Sequence, residues 1–159
     1  MASHTSIPTF FTIPEEIRMK IVIEFWLNKY EDNKKRIRLL TRKHESLSMF
    51  FSSNGARITR ISGIKIDMDY HLHNSIIENK KTYSNIYDQI QSQLDEIKSQ
   101  STNASIEMMH IMNEIGWLKT KSIQIKIRIE NLAMDSGDYL SIVKRIIELN
   151  IKHFNECLL

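Results

Sequence analysis

Residues 76–132 read IIENKKTYSNIYDQIQSQLDEIKSQSTNASIEMMHIMNEIGWLKTKSIQIKIRIENL. Stepping by seven from Ile76 gives Tyr83, Ile90, Ile97, Ala104, Ile111, Leu118, Ile125 and Leu132, with no charged or strongly polar residue in the series. Four positions after each come Lys80, Tyr87, Leu94, Ser101, Met108, Ile115, Ser122 and Ile129, of which most are apolar. The first series takes position d and the second position a of a heptad, so the stretch predicts long helices that meet another helix along one seam.

Two features leave the form of that segment open. The polar run Ser99-Gln100-Ser101-Thr102-Asn103-Ala104-Ser105 contains poor helix formers, so the segment is either one rod or a helical pair folded at a turn. Ile123, Ile125, Ile127 and Ile129 alternate with Gln124, Lys126 and Arg128, a spacing that also suits a strand. The heptad passes through both places without a slip, and that favours helix. The length of the repeat and its richness in Ile favour a seam that meets a second chain, with self-association through the coiled coil as one form of it. The alternative is the internal core of a monomeric helical bundle.

Beyond this segment Ser136-Gly137-Asp138 breaks the pattern, and residues 138–158 predict a last helix. Leu140, Val143, Ile147, Ile151 and Phe154 lie on one face of it, broadened by Ile142, Ile146 and Leu149, and this face is expected to pack back on the preceding helix or to join a bundle. Residues 74–133 are thus expected as the coiled coil or helical hairpin.

Upstream, residues 1–70 predict a small helical head. Thr12 and Glu15 have capping-box spacing, and Pro14 is expected in the first turn, where its missing N–H costs nothing. Ile17, Met19, Ile21, Val22, Ile23, Phe25, Trp26 and Leu27 make this helix apolar nearly all round, so it should be covered on more than one side. Pro14, Ile17, Ile21, Phe25 and Trp26 are the residues expected to meet a partner. Residues 30–51 predict one or two short helices. After Ser52-Ser53-Asn54-Gly55 the pattern turns to alternation, with Ile64, Ile66, Met68 and Tyr70 separated by Lys65, Asp67 and Asp69, which predicts a strand. Ile58 to Ile61 is its candidate hairpin partner through Ser62-Gly63, although Ile58 would then face away from the apolar side. The fold class is therefore mainly α: a small helical head with a candidate β-hairpin, then long heptad-patterned helices.

Composition is consistent with this reading. Four Gly and two Pro in 159 residues are few for a fold rich in tight turns, and 42% hydrophobic with 26% charged residues fits a folded chain. The net charge of +3 is too small to indicate nucleic-acid binding by itself. One cysteine, Cys157, excludes an intramolecular disulfide and a cysteine-based zinc cluster, and its place third from the end does not fit prenylation. No signal peptide or membrane span is expected, and the expected location is intracellular, cytoplasmic or nuclear.

Candidate chemistry is sparse. Gly55, Gly63, Gly116 and Gly137 all stand alone, so no phosphate-cradling loop is expected, and no nucleophile is placed beside a base. The expectation is a protein that is not an enzyme and holds no cofactor. His71 and His73 with Asp67 and Asp69 would share a strand face, but such residues at a strand end are usually solvated rather than metal ligands. Lys34, Lys35, Arg36, Arg38, Arg42 and Lys43 crowd into ten positions; such a run is more often a solvated helix face, and as a binding surface it suits an acidic protein better than nucleic acid, since no aromatic residue is interleaved for stacking.

The stretch from Phe11 through Ile13, Pro14, Glu15, Glu16, Ile17 and Ile21 resembles the opening of the F-box, and Leu39-Leu40-Thr41-Arg42-Lys43-His44-Glu45-Ser46-Leu47 resembles its third helix. The resemblance covers residues 11–51. It implies a three-helix motif that docks on the Skp-type linker of a cullin–RING ubiquitin ligase, with the rest of the chain holding a substrate. The other reading is a coiled-coil scaffold or tether in which residues 76–132 do the work.

Overall fold

The computed structural model describes residues 12–74 and 77–158, with the side chains of 77, 78 and 155–158 set aside. Ile76 of the seam and Phe11 of the F-box-like stretch lie outside the described residues. Three helices carry the chain: α1 (Glu15–Asn74), α2 (Ile77–Ser136) and α3 (Tyr139–Leu158). There is no strand among the described residues.

The mainly helical class is as expected, and the β-hairpin is not. Residues 58–70 lie inside α1, with Ser62 and Gly63 in mid-helix. A helix through this stretch has its own ridge, spaced by threes and fours, in Ile58, Ile61, Lys65, Met68 and Leu72, all half-buried. Ile64, Ile66 and Tyr70, three of the four alternating residues, stay exposed. The alternation was real but it was not the pattern that burial follows. Helix also runs through 99–105 and 123–130, so neither a turn nor a strand interrupts α2.

Caps explain where the helices begin and end. The Pro14 carbonyl accepts from the amides of Ile17 and Arg18, each at 3.0 Å, so Pro14 stands just before the first helical residue, Glu15, rather than within the first turn. Glu15 and Glu16 then place negative charge at the positive helix end. Gly137 adopts a left-handed φ of 73°, the conformation that ends α2 and that a side chain would strain. The Ser136 hydroxyl donates to the Ala133 carbonyl at 2.9 Å, and the Asp138 carbonyl accepts the Ile142 amide at 3.3 Å to open α3.

The described chain divides into two compact units: residues up to Leu40 with Ile115 onward, and Thr41–Glu114. In the second unit α1 and α2 run antiparallel. Lys43 pairs with Glu107 at 2.5 Å, Lys65 lies 5.5 Å from the centre of the Tyr87 ring, and His71 stacks on Tyr83 at 6.1 Å. Leu94, Ile97, Ala104 and Ile111 are buried there, together with Asn54 and Ser101.

The first unit is a three-helix assembly. Ile23, Leu27 and Tyr30 of α1 meet Ile129 and Ala133 of α2 and Ile142 and Ile146 of α3, with Met19, Trp26, Ile125, Leu132 and Leu149 packed around them. Each large side chain buried in this way contributes about 1.5–3 kcal/mol. Arg145 grips the Glu24 carboxylate with both terminal nitrogens, and Lys152 reaches Glu31 at 3.5 Å, so α3 lies parallel to α1. The Glu24 carboxyl is held below its usual pKa by the Arg145 hydrogen bond, which outweighs the opposing effect of partial burial.

Packing overturns the expected orientation of α3. The residues turned inward are Ile142, Ile146 and His153, with Val143 and Leu149 half-buried, while Leu140, Ile147, Ile151 and Phe154 face out. Two apolar ridges exist on this helix. The inward one also brings Arg145, Asn150 and Lys152 to partners on α1, and this decides the rotation.

Candidate protein-docking surface

The residues expected to meet a partner on α1 divide between surface and core. Ile17, Ile21 and Phe25, spaced by fours, are each about half exposed, and Pro14 is exposed just ahead of them. Trp26 instead turns to the core, where the Arg128 guanidinium stacks on its indole at 4.6 Å. Phe25 meets Trp26 edge to face at 5.2 Å, and the Lys29 ammonium lies over the Phe25 ring, 5.6 Å from its centre. Among the described residues, the helix that reads as apolar all round is thus covered on one side, the side that carries Met19, Ile23, Trp26, Leu27 and Tyr30.

A second outward ridge lies on α3. Leu140 is 83% exposed and Phe154 65%, with Ile147 and Ile151 between them on the same face. Four large apolar side chains thus stand exposed along one helix face, in a unit whose core is filled from the opposite face.

The heptad residues of α2 are placed as one ridge. Leu94, Ile97, Ser101, Ala104, Ile111, Ile115, Leu118, Ser122 and Ile129 are buried, and Tyr83, Tyr87, Ile90, Met108, Ile125 and Leu132 are half-buried. Among the described members Lys80 alone is exposed. A single copy of the chain therefore covers this seam.

Its complement on α1 went unread in the sequence. From Met19 to Leu72 the positions Met19, Ile23, Trp26, Tyr30, Asn33, Ile37, Leu40, His44, Leu47, Phe51, Asn54, Ile58, Ile61, Lys65, Met68 and Leu72 keep a strict three–four spacing, and all but Phe51 are buried or half-buried. The signal was available. Asn33, His44, Asn54 and Lys65 interrupt its apolar character and hide it from a search for apolar residues alone.

Among the described residues no group of three or more His, Cys, Asp or Glu could hold a metal ion. In a helix the residues 67, 69, 71 and 73 fan around the axis instead of sharing a strand face. His73 bonds the Asp69 carbonyl at 2.9 Å, and His71 stacks on Tyr83. The basic run on α1 is partly occupied, since Lys35 approaches Glu31 at 3.6 Å and Lys43 pairs with Glu107. Among the described residues no helix is long and apolar enough to cross a membrane.

Comparison of the chain with protein-family models, with curated proteins and with solved structures returned no match.

Proposed function

We propose that this chain is a protein-binding helical scaffold, in which the three-helix unit presents outward apolar ridges to another protein chain. The observation that carries the reading is the α3 ridge of Leu140, Ile147, Ile151 and Phe154, left in water while the neighbouring ridge of the same helix fills the core. Apolar area of this kind is sticky when uncovered, and covering it drives association. The two salt links to α1 hold α3 in this rotation, so the ridge is presented on a fixed element.

The test is affinity capture from the native cell with the wild-type chain and an Ile147→Asp, Ile151→Asp variant, with helicity checked by circular dichroism. A partner retained by the wild type and released by the folded variant supports the scaffold. Identical retention by both chains would overturn it.

A second reading is the adaptor implied by the F-box resemblance, and the exposure of Ile17, Ile21 and Phe25 favours it. Against it stands the unbroken course of α1 from Glu15 through Phe51, because a three-helix motif needs two turns in that stretch. Purified Skp-type linker, offered to the wild type and to an Ile17→Asp, Ile21→Asp variant, separates the two readings. Binding lost in the variant supports the adaptor, and no binding by the wild type leaves the scaffold.

A further inference from the structure

Between α1 and α2 in the three-helix unit lies an open groove of about 230 Å³, lined by Tyr30, Lys34, Lys119, Ser122, Ile123 and Lys126. Three of the six lining residues are lysines and none is acidic. The carboxylate of Glu130, one helical turn along α2, approaches Lys126 at 3.9 Å and also acts on the Tyr30 hydroxyl. The Lys34 ammonium lies over the Tyr30 ring, 5.2 Å from its centre.

Gathering like charges in this way is unfavourable unless something of opposite sign joins them. The Lys34 ammonium is held below its usual pKa, first by burial and then by the neighbouring charges of Lys119 and Lys126. A second observation points the same way. Ser122 is 2% exposed, lines the groove, and its hydroxyl has no hydrogen-bond partner. A buried hydroxyl without a partner costs free energy that a ligand oxygen would recover.

We propose that this groove binds a small phosphate-class oxyanion, held by the ammonium groups of Lys34, Lys119 and Lys126 and by a hydrogen bond from the Ser122 hydroxyl. Ammonium groups act as point charges with rotatable donors, which suits a compact, multiply charged anion. A planar carboxylate is better matched by a guanidinium, and none lines the groove. Nucleic acid fits less well, because the Tyr30 ring is buried and its hydroxyl already donates to Asn150, so it offers no face for a base.

The experiment is isothermal titration of the intact chain with inorganic pyrophosphate and with inorganic phosphate at low salt. The expected result is single-site binding that weakens roughly tenfold or more in a Lys119→Gln, Lys126→Gln variant, as loss of charge-assisted contacts implies. Ser122→Ala should weaken binding less, and a control variant at two exposed lysines elsewhere, Lys20→Gln with Lys144→Gln, should bind like the wild type. Relief of repulsion should leave the melting temperature of the ligand-free Lys119→Gln, Lys126→Gln variant unchanged or raised, and Lys119→Gln alone, at an exposed position, serves if the pair disturbs folding. Absence of saturable binding up to about 10 mM would overturn the proposal. So would equal weakening in the control, which would mean diffuse charge attraction, or a short single-stranded oligonucleotide binding the groove where pyrophosphate does not.

Discussion

Tyr30 donates its phenolic hydrogen to the Asn150 side-chain carbonyl at 2.7 Å, joining α1 to α3 across 120 positions of sequence. The tyrosine is buried, so its hydroxyl has few other partners to choose from, and burial raises its pKa despite this bond. Replacing it with phenylalanine keeps the ring in the core and removes the link. Tyr30→Phe is expected to cost about 0.5–1.5 kcal/mol, measured as a lower midpoint in urea unfolding with an unchanged slope. No loss would mean that Asn150 finds water as good a partner.

Leu94 lies in the heptad ridge of α2 and is 2% exposed within one chain. Leu94→Ala should lower stability by about 2–5 kcal/mol through lost burial and the cavity left behind. Because one copy covers the ridge, Leu94→Asp should reduce helicity by circular dichroism. A folded chain that merely drops from oligomer to monomer in light scattering would instead mean that the ridge meets a second copy.

Asn54 sits on the α1 ridge almost wholly buried, and its amide nitrogen has no hydrogen-bond partner. An apolar residue of similar size avoids that cost, so Asn54→Leu is expected to raise the melting temperature, by the equivalent of about 1–3 kcal/mol. Buried polar residues on helical seams also fix register. The same variant should therefore show broader amide signals in NMR spectra, and a lower melting temperature would mean that the amide is satisfied by ordered water.

His153 is buried in the three-helix unit and its pKa is lowered, first by desolvation and then by the positive charges of Arg38 and Lys152, with Lys34 adding to them and Glu31 opposing. The unfolded chain takes up a proton near pH 6.5 while the folded chain resists it. Stability attached to this residue is therefore present above that pH and is lost as pH falls through the depressed folded value. The melting temperature of the wild type should drop on acidification below about pH 6.5, and His153→Phe should flatten that part of the profile. Parallel profiles for the two chains would remove His153 as the cause.

Much of the helical fold was legible because burial follows periodicity. The α2 positions from Lys80 to Leu132 chosen by counting sevens are sheltered from water, Lys80 excepted. The matching ridge on α1 was legible in spacing but not in polarity, since Asn54 and Lys65 occupy inward positions. Of the candidate surface, Ile17, Ile21 and Phe25 could be named from the sequence. The lysine groove could not, because Lys34 reads as one of six basic neighbours and its companions Lys119 and Lys126 stand more than eighty positions away.

Alone, the order of residues determined that helices would form and that α2 would carry one inward ridge: a three–four spacing sustained over many turns admits no other regular structure. Only the tertiary structure decided between patterns that satisfy the same local rules. The alternation at Ile64, Ile66, Met68 and Tyr70 suits a strand until Ile58, Ile61 and Leu72 are seen half-buried along one ridge of α1. Either ridge of α3 could face inward until Glu24, Tyr30 and Glu31 hold Arg145, Asn150 and Lys152. The reason is physical: periodicity is a property of one segment, whereas the choice of face depends on the free energy of contacts with residues elsewhere in the chain, more than a hundred positions distant for α3.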